Sequence, residues 1–300
     1  MIPRPGDHGG DGERLARALG IEPEAVLDLS ASLNPFAPDV TALVKQHAEV
    51  VTRYPDVARA TEAFATALGA PPEQILLTNG GAEAIALVAA LRPVGRVDEP
   101  DFSLYARHLR EVRADAPRWR SNPHNPSGRL APASETAAVW DEAFYPLATG
   151  TWTRGDGTFI VGSCTKVYAC PGLRIGYVRA PDAQTAAELR ALQPQWSLNA
   201  IACAALPDLL AMTDLRAWSS AIARAREELV DVLKPRGLEP EPSDTNFVLV
   251  RDARGLREHL APHAVLVRDT ASFGIAGGVR IAVPDARGLQ RLADALEGYR

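Results

Sequence analysis

Lys166 closes the run Gly162-Ser163-Cys164-Thr165-Lys166, and Arg174 follows eight residues later within Pro171-Gly172-Leu173-Arg174. A lysine amine forms a Schiff base with a carbonyl, while nearby hydroxyls and a guanidinium hold a phosphate. An aldehyde and a phosphate on one small molecule describe pyridoxal 5'-phosphate. Two upstream motifs supply the rest of such a site. Asp141 follows the apolar run 137–140, so it reads as a carboxylate at the C-terminal end of a central strand, where α/β sheets bind ligands. Ionised there, it keeps a pyridine nitrogen protonated through a charge-assisted hydrogen bond worth about 1.5–3 kcal/mol. Asn125, in Asn122-Pro123-His124-Asn125-Pro126, would donate to the phenolic oxygen of the ring, and Tyr105 would stack on its face. Gly81 and Ala82 lie between an apolar strand and a helix, where backbone N–H groups turn toward an anion. Ser163, Thr165 and Arg174 would complete that phosphate cup. Singly, each feature has an ordinary reading as a cap, a turn or core filling. Their convergence on one ligand, in this order, carries the expectation.

These residues need elements to hold them. The pattern predicts helices over 11–19, 56–68 and 82–91, and strands over 26–29 and 74–78. Strands over 158–162 and 174–179 flank the lysine. Helices over 183–192, 198–212 and 215–233 follow, then strands over 246–250, 264–267 and 279–283 and a last helix from 285. Alternating apolar runs and amphipathic segments point to α/β architecture. The expected division is a large cofactor-binding domain over 40–180 and a smaller domain built from 1–39 plus 181–300. In the last strand, alternation sets Val279, Ile281 and Val283 on one face and Arg280 on the other. An arginine inside a strand near the core needs an anion, and a substrate carboxylate would supply it. Arg268 could take a substrate phosphate, with Asp269 as its alternative local partner.

Composition sets the outer bounds. The chain has 300 residues, 46% hydrophobic and 23% charged, which is ordinary for a globular protein. A net charge of -5 gives no basic excess for nucleic acid or an anionic membrane. Three irregularly spaced cysteines, Cys164, Cys170 and Cys203, argue against a disulfide framework and for a reducing compartment. The first twenty residues are charged and contain no leader-like apolar stretch, and nothing reaches the ~18 apolar residues of a membrane helix. A cytoplasmic location is expected, and no metal site.

The motifs together resemble the fold-type I pyridoxal-phosphate enzymes, the aspartate aminotransferase superfamily, over nearly the whole chain. That resemblance implies a mostly parallel central sheet with a smaller α+β domain. Two branches are similar: histidinol-phosphate aminotransferase and the threonine-phosphate decarboxylase of cobalamin biosynthesis. The decarboxylase pattern is resembled by His8-Gly9-Gly10-Asp11, by the stretch 27–35, by Thr165-Lys166-Val167-Tyr168-Ala169 and by Gln195-Trp196-Ser197-Leu198-Asn199. Phe144 matches that branch too, since the aminotransferases usually carry Tyr there.

The resemblance implies roles residue by residue. Lys166 would bond the cofactor aldehyde. Asp141 would pair with its ring nitrogen, and Asn125 with its ring oxygen. Gly81, Ala82, Ser163, Thr165 and Arg174 would bind its phosphate, joined by Tyr54 from the neighbouring subunit of a homodimer. His8, Gly9, Ser32, Asn125, Arg268 and Arg280 would meet a phosphorylated amino acid or amine. Ser32 stands where the decarboxylase pattern has Asn. Segments 105–122 and 126–141 are shorter than in relatives, so about one βα unit is expected to be missing from the first and a full helix from the second. Such trimming would leave a partly exposed sheet face, or one covered by the dimer partner. The favoured activity is a lyase decarboxylating O-phosphothreonine or O-phosphoserine. The alternatives are a histidinol-phosphate-type aminotransferase and a non-catalytic cofactor-binding descendant.

Overall fold

The structure, a computed structural model, describes residues 2–6, 8–155 and 158–299. Its strands are β1 (Leu27–Asp28), β2 (Ile75–Asn79), β3 (Val94–Val97), β4 (Glu111–Val112), β5 (Arg118–Ser121) and β6 (Val139–Asp141), followed by β7 (Phe159–Ser163), β8 (Ile175–Arg179), β9 (Phe247–Val250), β10 (Val265–Leu266), β11 (Arg268–Asp269) and β12 (Val279–Ala282). Seven of them form one sheet in the order β2-β8-β7-β6-β5-β3-β4. Only β8 runs against its neighbours, so the sheet is mostly parallel, as expected. A three-stranded antiparallel sheet, β11-β12-β9, and the parallel pair β1-β10 lie apart from it in the chain.

Local chemistry explains the element boundaries. The helix Gly12–Leu19 ends where Gly20 turns left-handed at φ 69°, and Ala58–Leu68 ends at Gly69 with φ 65°. Asp182 starts the helix Ala183–Leu192 by accepting from Thr185 N at 2.7 Å. The helix Gly80–Leu91 is apolar on most sides because it is covered on most sides: Ala84, Ile85, Leu87 and Val88 pack against Leu76, Val161 and Val178 of the large sheet.

The helices Ala183–Leu192 and Ala200–Ala211, assigned from sequence to the smaller unit, pack on the large sheet. Leu189 joins the core of Leu76 and Val178, and Leu206 and Leu209 join that of Phe64, Ile160 and Tyr177. The smaller core gathers Leu229 and Leu233 around Val248, Ile281 and Leu292. The segment between β3 and β5 holds the five-residue helix Leu104–His108 and then β4, two exposed residues at the sheet edge. Residues 113–117, between β4 and β5, carry no helix, and neither do residues 122–138.

The sheet face over those segments is charged. In register, β3 and β5 set Arg96 beside Arg118, and Arg120 continues the same face. Asp98 pairs with Arg96 at 3.3 Å and with Arg118 at 2.7 Å, while Glu135, from the loop after β5, pairs with both Arg118 and Arg120. Gly95 and Trp119 occupy the opposite face, where a Cβ on Gly95 would lie 2.7 Å from the indole.

Candidate active site

The C-terminal ends of β5, β6 and β7, the start of the helix Gly80–Leu91, the N-terminal segment and the β11-β12 hairpin enclose a cavity of 290 Å³. Lys166 reaches it from the helical turn Cys164–Val167 that continues β7. Its Nζ donates to Ala31 O at 2.7 Å. Burial, and then the Arg280 charge, lower its pKa to about 8, so roughly a tenth to a fifth of the amine is neutral near physiological pH, far more than for an ordinary lysine.

Asp141 ends β6. Its Oδ2 accepts from the Tyr105 hydroxyl at 2.8 Å and its Oδ1 from Ala143 N at 3.0 Å. Burial outweighs both bonds and raises its pKa to about 6. Among the described residues no cation contacts that carboxylate, and a protonated pyridine nitrogen would supply one.

Tyr105 takes a different place from the one expected. Its side chain is 1% exposed and lies behind Asp141, orienting the carboxylate instead of lining the cavity. The aromatic wall is Phe102, three residues earlier, whose ring sits 5.8 Å from Tyr105 and 5.6 Å from His8. Phe102 lies in the loop just before the helix Leu104–His108, and its carbonyl accepts from Tyr105 N at 3.1 Å, so the two side chains leave one turn at different depths. The deeper position went to the residue with a hydroxyl to satisfy.

Gly81, Ala82, Ser163, Thr165 and Arg174 meet on one wall, as expected. Two features fit this wall to a phosphate. The Thr165 Oγ1 is buried without a hydrogen-bond partner. Gly80 has φ 78°, and a Cβ there would lie 2.2 Å from Arg174 Nη2, so only glycine lets the guanidinium lie against the free N–H groups of the helix start. Ser163 caps the lysine turn by accepting from Thr165 N at 3.1 Å and donates to Ile175 O at 3.3 Å.

Arg268 and Arg280 face each other as cross-strand partners in β11 and β12, and both reach the cavity. Arg280 Nη1 donates to Asn125 Oδ1 at 2.5 Å, and its guanidinium lies 4.4 Å from the Phe247 ring centre. Its Nε is buried without a partner, and burial, then Arg268, lower its pKa to about 9. Arg268 donates to Gly6 O at 2.8 Å and Ser272 Oγ at 2.7 Å, while Asp269 accepts from Ala271 N. The alternative reading of an Arg268–Asp269 pair is therefore not the arrangement seen among the hydrogen bonds.

His8 and Gly9 line the cavity, and Gly9 lies so close to β1's extension that a Cβ would sit 2.1 Å from Ser30 O. Ser32 does not line it. Its backbone is left-handed at φ 50°, its hydroxyl is buried, and Asn246 Nδ2 donates to its carbonyl at 2.8 Å. Ala31 takes the wall position instead. Tyr54 lies outside the cavity, 77% exposed and 4.5 Å from the Trp196 ring. Phe144 presents its ring 5.7 Å from Lys166 Nζ. Among the described residues, no group of His, Cys, Asp or Glu could hold a metal ion.

Residues 89–296 match the family model for aminotransferase class I and II. The chain is 30% identical to the threonine-phosphate decarboxylase of Salmonella typhimurium, over 96% of this chain and 95% of that protein. It is 29% identical to the histidinol-phosphate aminotransferase of Haloferax volcanii, over 95% of this chain and 92% of that one. The fold superposes on the histidinol-phosphate aminotransferase of Sinorhizobium meliloti in complex with pyridoxal-5'-phosphate, with a TM-score of 0.82 at 24% identity over 99% and 94% of the two chains. It also superposes on an aspartate aminotransferase of Thermus thermophilus with a TM-score of 0.75 at 23% identity, over 96% of each chain. The lysine, the buried carboxylate and the phosphate-shaped wall agree with this ancestry: the chain belongs to the aminotransferase class I and II family and is a pyridoxal-phosphate-dependent enzyme with the aspartate-aminotransferase-like fold.

Proposed function

We propose that this enzyme decarboxylates a short phosphorylated amino acid of the O-phospho-L-threonine or O-phospho-L-serine class. The carrying observation is the facing pair Arg268 and Arg280 in a cavity of only 290 Å³. Two guanidiniums suit a substrate with two anionic groups close together. The volume lies just below the ~300–1,000 Å³ usual for small-molecule sites, and cofactor and substrate must share it, which favours a compact substrate. Phe144 offers no hydroxyl to the cofactor's ring oxygen, in keeping with the decarboxylase branch.

Bound pyridoxal phosphate supplies an electron sink for a bond broken at the substrate's α-carbon. In this reading Gly81, Ala82, Ser163, Thr165 and Arg174 hold its phosphate, Asp141 its ring nitrogen, and Asn125 its ring oxygen. Tyr105 orients Asp141, and Phe102 packs on the ring face. Arg280 holds the substrate carboxylate and Arg268, with His8 and Gly9 at the rim, its phosphate. Lys166 would hold the cofactor aldehyde, and its Nζ, with a pKa of about 8, would carry the proton that the substrate's α-carbon needs once its carboxylate has left as carbon dioxide.

A histidinol-phosphate aminotransferase is the second reading, favoured by the Haloferax volcanii relative. Lys166 would then remove the α-proton itself. We also infer a cytoplasmic homodimer serving cobalamin biosynthesis. Exposed Tyr54, Val51 and Trp196 support a subunit contact through which Tyr54 reaches a neighbouring phosphate. Two domains would meet at the cavity, the larger one including the helices over 183–211.

The test is a product assay on cofactor-loaded protein. With O-phospho-L-threonine, carbon dioxide should appear without conversion of the cofactor to pyridoxamine phosphate. Glutamate formed from histidinol phosphate and 2-oxoglutarate, with no carbon dioxide in the first mixture, would establish the second reading instead.

A further inference from the structure

His124 and Asp101 have no part in the chemistry described so far, yet both are tied into its scaffold. Asp101 is 3% exposed and ends the loop after β3. Its Oδ1 accepts from Ser121 Oγ at 2.5 Å and from Phe102 N at 2.7 Å, and its Oδ2 accepts from Ser121 N at 3.1 Å. Ser121 Oγ in turn accepts from Asn125 N at 2.7 Å. Asn125 Oδ1 receives Arg280. A continuous line of hydrogen bonds therefore runs from a buried carboxylate to the guanidinium in the cavity.

His124 makes a second tie between the same two loops. Its Nε2 lies 2.7 Å from Pro100 O, which can only accept, so Nε2 carries a proton. Its Nδ1 lies 2.8 Å from Ser127 Oγ. The two ties flank the cavity residues they serve: Asp101 adjoins Phe102, and His124 adjoins Asn125. Fixing two loops at two points removes the freedom of one to slide or rotate on the other.

We propose that Asp101 and Ser121, braced by His124, are positioning residues that hold Asn125 and Phe102 over the cavity. The inference rests on the reading of Asn125 as the group that meets the cofactor's ring oxygen. The linkage needs an ionised Asp101, since three donors converge on its two oxygens. Arg120, Arg118 and His124 face it as cations or neutral donors, and Asp141, Asp98, Glu99 and Tyr105 surround it as acids. Burial raises the Asp101 pKa to about 6 against those bonds, so the carboxylate is held ionised at neutral pH by its partners.

The experiment uses S121A, S121T and D101N in the full chain. Hydrogen exchange in apoprotein reads the clamp directly. Asn125 N–H should exchange at least about tenfold faster in S121A, because its acceptor is gone, and at the native rate in S121T. Visible absorbance of the cofactor-loaded proteins reads the consequence, without any substrate. The pH midpoint of the bound cofactor's band change should move in S121A and D101N and return in S121T. Native exchange in S121A, or altered exchange with an unmoved midpoint, would overturn the positioning role while leaving the cofactor assignment intact. Faster exchange in S121A, together with a wild-type protein that takes up no cofactor, would keep the clamp and sink the proposed function.

Discussion

Thr165 is a hydroxyl waiting for a partner. A buried, unsatisfied Oγ1 costs about 1–3 kcal/mol, and a phosphate oxygen would relieve it. Thr165→Val should therefore leave the apoprotein's melting temperature equal or higher while weakening pyridoxal phosphate about tenfold, or ~1.4 kcal/mol. Calorimetry and cofactor titration on the same variant check both halves. A large loss of apoprotein stability would show that the hydroxyl has a structural partner instead. Arg280→Ala removes the proposed carboxylate anchor, and KM for O-phospho-L-threonine should rise about 100-fold, in line with the loss of a buried charged partner. An unchanged KM would move the carboxylate elsewhere. At this scale most of the site was legible in the sequence. Lysine, aspartate, asparagine and the hydroxyl pair each had a chemistry that only one ligand joins. Tyr105 and Ser32 stand off the cavity for separate reasons: the Tyr105 hydroxyl is drawn back to Asp141, and Ser32 sits in a left-handed turn with its hydroxyl buried. The clue for Phe102 was its place three residues before a tyrosine whose hydroxyl needed a buried acceptor.

The crossing of β8 with the start of the helix Gly80–Leu91 is the tightest joint between elements. A Cβ on Gly176 would lie 2.2 Å from Gly80 C, a backbone atom that cannot swing away. Gly176→Ala should destabilise the fold by ~3 kcal/mol or more, read from the urea midpoint, and displace the phosphate wall. A wild-type midpoint with native cofactor affinity would contradict that packing. The helices were well marked in the sequence, with caps and left-handed glycines at their ends. The sheet's shortened crossovers were visible as missing length. What replaced them was not, because a two-residue strand such as β4 has no periodicity to detect. The allegiance of the helices over 183–211 was equally hidden: a buried apolar face does not name the sheet it will cover.

For the whole molecule, two buried acids set the pH response. The folded pKa values of Asp101 and Asp141, about 6, lie above the ordinary 3.8. Folding therefore binds these protons more tightly, and the stability they confer is present below pH 4 and lost as pH rises through 6. Each difference corresponds to roughly 3 kcal/mol. Lys166 acts in the opposite sense higher up: its lowered pKa gives stability present above 10.5 and lost as pH falls through 8. The Asp141 contribution predicts that apoprotein gains more, or loses less, melting temperature between pH 7 and 5 than its Asp141→Asn variant does. Cofactor should shrink that difference, since a paired carboxylate resists protonation. Identical pH slopes in the apo forms of both proteins would refute it.

The ion-paired face over β3 and β5 has its own consequence. Glu135 alone faces both Arg118 and Arg120, and Asp98 divides itself between Arg96 and Arg118. Where apolar strands would need a cover, the chain has an ion-paired surface of three guanidiniums and two carboxylates. Positive charge is already in excess there, and Glu135 is the carboxylate that Arg118 and Arg120 share. Glu135→Gln would leave neighbouring guanidiniums without their shared counter-ion and turn a quiet face into a trap for polyanions, so heparin should retain the variant and release the parent. Shortening a fold in this way puts a new ligand within a single substitution's reach.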